Sequence, residues 1–370
     1  MPAPGLKKDN LESIYKDNSL LNLNYDFFGF SFWMMNRSEE LFLDKKNKDI
    51  HNRFKVESSH AFKYNYLSRP IIDEWFLYFT ELVRFVYPNI TLNKFKFRII
   101  PTHDIDNPRK FSLLSKKRIL KNTILYFFYN RKSLFKNLLK FTANFRYEDP
   151  YNTFSWIFGI SKKYNLKNDF YFMTDHANWR FDTGYNIRNH EIISLIKEIK
   201  KRGHNIGLHP SYNSDNNKKL FLKEALILKT ILKELKISQN ILGGRMHYLK
   251  FNNPNTAINW IDSNYQYDSS LGYSNLPGFR CGTCKEFILF DILNNQILNL
   301  TERPLIFMDI ALFDSIYLDT KDIKKLKEYI DDLKKKCFDV NGDFLFLWHN
   351  CQLDTEFKKE MYEYLVSPIK

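Results

Sequence analysis

RIIPTHDID (residues 98–106) reads as a short strand-like run that passes one proline and ends in a histidine and two aspartates. The isoleucines favour a pleated, half-buried surface. A strand that stops in clustered acids either caps a helix in solvent or holds a cation. Alternate residues of an extended segment share a face, so Asp104 and Asp106 point into one place.

The rest of the chain from residue 97 repeats the theme. Strand-like runs KFRII, NDFYFMT, HNIGLH, NILGG, QYDSS, LIFMDIAL and DFLFLWH alternate with amphipathic helical patterns such as HEIISLIKEIKKRG, KLFLKEALILKTILKELK and KDIKKLKEYIDDLKKKCF. This alternation predicts βαβ units and a parallel sheet. About seven strands, with no GxGxxG after the first, favour closure into a barrel over an open doubly wound sheet. The first 95 residues differ in pattern: YDFFGFSFWMMNRSEEL, DIHNRFKVESSHAF and the amphipathic RPIIDEWFLYFTELVRFVY suggest a small α+β domain. The expected division is therefore 1–95 for an accessory domain and 96–370 for the barrel.

Polar residues fall where such strands end. His103, Asp104 and Asp106 follow the first strand, and Asp175 and His176 the second. His209 ends the third, Arg245 and His247 follow the fourth, Asp268 follows the fifth, and His349 ends the seventh. In a parallel α/β barrel all strand C-termini lie on one face, where active sites are built. Residues scattered along the chain are thereby gathered.

These residue types fit a metal-assisted hydrolysis. Asp106 and His209 offer the carboxylate and imidazole that a divalent ion such as zinc binds, with a position left for water. Asp104, sharing that pocket, can take the water's proton. His349, whose ordinary pKa lies near neutrality, suits protonation of the leaving group. Asp268 could hold His349 protonated, and Arg245 could orient Asp104.

THDID, GHNIGLHPS, GGRMHYL, YDSSLG and FLWH occur in the order of the five motifs of the polysaccharide deacetylase (NodB-like) family, which the segment from residue 97 to the C-terminus resembles. The resemblance implies a distorted (β/α)7 barrel and a metal-dependent carbohydrate amide hydrolase. It implies Asp104 as base, Asp106 and His209 as ligands, Arg245 orienting the base, Asp268 tuning the acid and His349 as acid. The family's second ligand histidine falls here on Asn213, a weaker ligand for zinc. The third ligand is thus open among Asn213, Ser214, His247, His103 and a second water. RMHYL replaces a proline-containing motif and places His247 and Tyr248, with His103, among the expected substrate-binding residues. FWMMNRSEEL and DIHNRF resemble stretches preceding the barrel in a bacterial subgroup linked to surface-glycan biosynthesis, including lipopolysaccharide assembly. An amino-sugar substrate, nucleotide- or lipid-linked, is the corresponding expectation. The competing class is an inactive glycan-binding protein of the same assembly machinery, which would need neither the metal nor Asp104.

Composition sets outer bounds. The formal net charge is +14, and residues 107–147 carry eleven Lys or Arg and no Asp or Glu. Such an excess calls for an anionic partner, a sugar phosphate or an anionic membrane surface. No nucleic-acid motif accompanies it. The start MPAPGLKKDNLESIYKDN lacks an apolar signal-peptide core, so a cytoplasmic location, peripheral to the inner membrane, is expected. Four cysteines, including Cys281 and Cys284 as a single CxxC, are too few for a disulfide framework and read as structural.

Overall fold

A computed structural model of the chain describes residues 26–93, 95–111, 113, 149–182, 184–313 and 322–369. Beyond Leu113, the basic segment 107–147 lies outside the described residues.

Nine strands form one sheet: β1 (Arg98–Ile105), β2 (Asp169–Phe172), β3 (Asn205–Leu208), β4 (Gly243–Gly244), β5 (Tyr267–Asp268), β6 (Phe287–Asp291), β7 (Gln296–Glu302), β8 (Phe307–Met308) and β9 (Asp343–Leu347). Their order is β6-β7-β5-β4-β3-β2-β1-β9-β8. Every pairing is parallel except the β6–β7 hairpin. The first strand lies against the last, as in a singly wound barrel and unlike an open doubly wound sheet. Closure is imperfect. Among the described residues no ladder joins β7 to β8; residues 303–306 span the seam, with Arg303 N–H donating to the Asp268 carbonyl (2.8 Å) and Ile306 N–H to that of Leu345 (3.0 Å).

All seven expected strand runs contain a strand, though LIFMDIAL is strand only at Phe307–Met308 and turns helical at Asp309. The sequence reading passed over the β6–β7 hairpin, whose mixture of buried and exposed positions places it at the sheet edge. β2 and β9 are buried at every position, because helices cover the outside while the barrel fills its own interior. β3 and β4 approach closely enough that a Cβ at Gly244 would run into the Leu208 carbonyl, which accounts for glycine there.

The helices are α1 (Phe27–Met35), α2 (His60–Lys63), α3 (Ile71–Val86), α4 (Phe154–Lys163), α5 (His190–Lys201), α6 (Lys218–Glu234), α7 (Asn255–Asp262), α8 (Asp309–Phe313), α9 (Ile323–Asp339) and α10 (Glu356–Val366). In α5, Ile192, Leu195, Ile196 and Ile199 make the buried stripe, and the Asn189 side chain caps the start by accepting from Glu191 N–H. In α9 the stripe is Leu326, Ile330, Leu333 and Cys337, behind an Asp322 cap.

The N-terminal part departs from the α+β expectation. Residues 26–93 and 95 hold three helices, short 3-10 turns and one isolated bridge, Lys48–Phe54, with no strand among the described residues. Barrel loops supply the apolar partner that a sheet would otherwise provide: Phe54, Val56, Ala61 and Leu67 pack with Tyr273 and Leu276. A buried ionic cluster joins the two parts. Arg37 bonds Glu39 and Glu40, and Glu40 accepts from Arg280 at 2.6 and 3.0 Å.

Candidate metal centre

The C-terminal ends of β1, β3, β4 and β9 meet at one point. On β1 the alternation sends Thr102, Asp104 and Asp106 inward, while His103 faces the helices. His209 follows β3 directly, its N–H donating to the Phe172 carbonyl. His247 lies two residues beyond Arg245, which directly follows β4, and His349 lies two beyond the end of β9.

Asp106, His209 and His247 converge. His209 Nε2 lies 3.0 Å from His247 Nδ1 and 3.2 Å from Asp106 Oδ1, and His247 Nδ1 lies 3.6 Å from the same oxygen. Each ring is held from behind. His209 Nδ1 donates to the Arg245 carbonyl at 2.6 Å, and His247 Nε2 to that of Phe181 at 3.1 Å. With those protons committed to carbonyls, the two facing nitrogens carry lone pairs in the neutral rings. Two lone pairs at 3.0 Å repel unless a proton or a metal ion lies between them. Donors about 2.0–2.2 Å from a tetrahedral zinc ion sit about 3.3–3.6 Å apart, close to the three observed separations. The donor set of two imidazoles and a carboxylate therefore fits a divalent ion such as zinc.

Electrostatics agree with this grouping. Burial penalises the Asp106 carboxylate, but the surrounding histidines outweigh it and hold its pKa far below the usual range. Burial also disfavours charged His209, yet Asp104 and Asp106 raise its pKa. For His247 burial prevails and the pKa falls.

Flanking the three are an acid and a base. Asp104 Oδ1 accepts from Arg245 Nη1 at 3.0 Å, leaving Oδ2 toward His209 at 3.8 Å. Arg245 is itself fixed by Thr102 Oγ1, the Ser269 carbonyl and Ser269 Oγ. His349 Nε2 lies 3.6 Å from Asp106 Oδ2, and its Nδ1 faces Asp309. Burial alone would lower the His349 pKa; the Asp309 carboxylate reverses this and pushes it up to about 10.

Several expected placements need correction. Asn213 is exposed, accepting from Asn178 at 3.4 Å, and it is His247, one of the open candidates, that converges with Asp106 and His209. His103 is buried on the outer side of β1, bonded to the Trp348 carbonyl, Asn168 and Tyr362, and cannot bind substrate. Burial lowers its pKa to about 3. Asp268 does not reach His349; it accepts from Ser270 Oγ at 2.6 Å beside Glu302, and burial raises its pKa to about 6. Asp175 pairs with Lys223 and His176 with the Tyr185 carbonyl, both away from the three ligands. Tyr248 stands half-buried at the mouth, against His247. The sequence reading missed Asp309. It obeys the rule that selects the others, an acid just after a strand, but the apolar pattern of LIFMDIAL predicts strand throughout, whereas the strand ends at Met308 and a helix begins at Asp309.

Residues 3–88 match a family of unknown function, DUF7033. No curated protein matches the sequence. Among solved structures, the chain is similar to a protein assigned as a polysaccharide deacetylase from Mycobacterium smegmatis, at 13% identity and a TM-score of 0.46 over 75% of this chain and 85% of that one. It is also similar to one assigned as a polysaccharide deacetylase involved in O-antigen biosynthesis from Bordetella bronchiseptica, at 12% identity and a TM-score of 0.33 over 75% and 86%. A third is the Puue allantoinase, at 10% identity and a TM-score of 0.44 over 73% and 82%. These likenesses concern overall shape; the chemistry rests on the side chains above.

Proposed function

We propose that this chain is a divalent-metal-dependent hydrolase that removes an N-acyl group, acetyl or formyl, from an amino sugar in surface-polysaccharide or lipopolysaccharide assembly. The observation that carries the proposal is the pair of ring nitrogens, His209 Nε2 and His247 Nδ1, facing each other beside Asp106 with their far sides held by carbonyls.

An ion held by Asp106, His209 and His247 would acidify a water and polarise the amide carbonyl. Asp104, oriented by Arg245, takes a proton from the attacking water as its oxygen bonds to the amide carbon. His349, kept protonated by Asp309, delivers a proton to the nitrogen as the C–N bond breaks. The products are the carboxylic acid and the amino sugar. Burial of Arg245 and Asp104 (0% and 2% exposed) keeps their alignment from being screened by water.

Support for a sugar amide comes from the series THDID, GHNIGLHPS, GGRMHYL, YDSSLG and FLWH and its resemblance to the deacetylase motifs. The basic segment 107–147 suits a substrate carrying phosphate, whether on a nucleotide or on a lipid in an anionic membrane. A location at the cytoplasmic side of the inner membrane belongs to the same proposal; among the described residues no helix is long and apolar enough to cross one. The direct test is amine release from a panel of N-acetyl and N-formyl sugar nucleotides by the zinc-loaded protein. Release from none of them, nor from lipid-linked counterparts, would remove the proposal.

A further inference from the structure

The turn from Asp49 to Arg53 supplies no metal ligand, yet it touches the loops that do. We propose that this N-terminal turn is a positioning clamp for the metal centre, holding His247 where its Nδ1 can bind the ion; the inference rests on Asp106, His209 and His247 being metal ligands.

The backbone after His247 is in an unusual state. Tyr248 and Leu249 have φ of 61° and 55°, the left-handed region that side chains with a Cβ disfavour. Backbone of this kind persists where its surroundings over-determine it. Arg53 provides one constraint, its Nη1 donating to the Tyr248 carbonyl at 2.9 Å. Asp49 aims that guanidinium through Nε at 2.7 Å, while its other oxygen accepts from the His51 and Arg53 backbone N–H groups at 2.9 Å. His51 provides a second constraint. Its ring meets Tyr248 at 4.6 Å between centroids and Phe181 at 5.4 Å, and its Nδ1 lies 3.0 Å from the Tyr212 hydroxyl. Each contact bears on the site: Tyr248 follows His247, the Phe181 carbonyl holds His247 Nε2, and Tyr212 lies three residues after His209. One turn thus braces both ligand loops and the carbonyl that fixes a ligand's tautomer.

Groups that hold metal ligands in place typically change affinity roughly 10- to 100-fold when removed. Zinc titration of the full chain against a chromophoric chelator should show a loss in that range for Arg53→Met and for His51→Ala. Asp49→Asn should weaken zinc in the same direction, without adding to Arg53→Met, because both remove one constraint. Arg53→Lys should recover part of the affinity. A merely structural role would lower the melting temperature of the metal-free protein and leave the zinc affinity of the folded chain unchanged. Should Arg53→Met not fold, Asp49→Asn and His51→Ala decide the matter. Wild-type zinc affinity in the folded variants would overturn the clamp. A wild-type chain that binds no divalent metal would overturn both the clamp and the hydrolase. Zinc loss in the variants, with no amine release by the wild type, would support the clamp and contradict the hydrolase alone.

Discussion

His349 and Asp309 are joined at both backbone and ring: Asp309 Oδ2 accepts from His349 N–H at 2.7 Å, and the two carboxylate oxygens lie 2.9 and 3.0 Å from His349 Nδ1. The pairing fixes the ring and keeps it charged, with a pKa near 10. An acid must hold its proton to give it away, so activity should fall on the alkaline side as His349 deprotonates. Asp309→Asn should move that fall to lower pH. An unmoved alkaline limb would dissociate Asp309 from the acid.

The same pair makes a stability prediction. The folded pKa of His349 is raised above its ordinary 6.5, so its contribution is fully present below about 6.5 and is lost as pH rises toward about 10. Denaturant titrations across that window should show wild type losing stability relative to Asp309→Asn. Parallel curves for the two proteins would contradict the shift.

Asp104→Asn and His349→Ala should each lower turnover by roughly 10²- to 10⁴-fold, the usual loss for a general base or acid. Neither should release the metal, since neither residue is among the three converging ligands. Parallel turnover and metal measurements on the same preparations check this, and wild-type turnover in either variant removes that residue from the mechanism.

His103 should behave as a structural residue. His103→Leu strands the Trp348 carbonyl and removes partners of Asn168 and Tyr362, a cost of roughly 1–3 kcal/mol in thermal unfolding. KM should not change. A rise in KM with stability intact would return His103 to the substrate pocket.

These residues also show what could be read from sequence and what could not. The period-two pattern of β1 indicated correctly that Asp104 and Asp106 share a face, and that same alternation sends His103 the other way. Strand-end placement selected Asp106, His209, Arg245 and His349, because a parallel barrel collects strand ends regardless of their distance along the chain. Two things escaped. The convergence of His247 with Asp106 and His209 depended on how the backbone turns after Arg245, which spacing does not encode: left-handed φ at Tyr248 and Leu249 accompanies the placement of His247, and Asn213 remains in solvent. The partner of His349 depended on where strand gives way to helix inside LIFMDIAL, and a two-residue strand is too short for periodicity to locate.

The junction between the N-terminal segment and the barrel should be sensitive to charge removal. Glu40 sits between Arg37 and Arg280 with all three nearly inaccessible, so Glu40→Ala leaves two buried cations short of a partner. Breaking such a buried arrangement costs roughly 3–5 kcal/mol, to be seen as a lowered melting temperature. A change within error would mean that the cluster is not holding the parts together.

Divalent-metal content of wild type, His247→Ala and Asn213→Ala, measured on folded protein by elemental analysis after zinc loading and desalting, tests the metal centre most directly. Wild type and Asn213→Ala should each retain one zinc per chain, and His247→Ala should retain almost none. Full occupancy in His247→Ala, or loss in Asn213→Ala, would contradict the assignment of Asp106, His209 and His247 as the ligands.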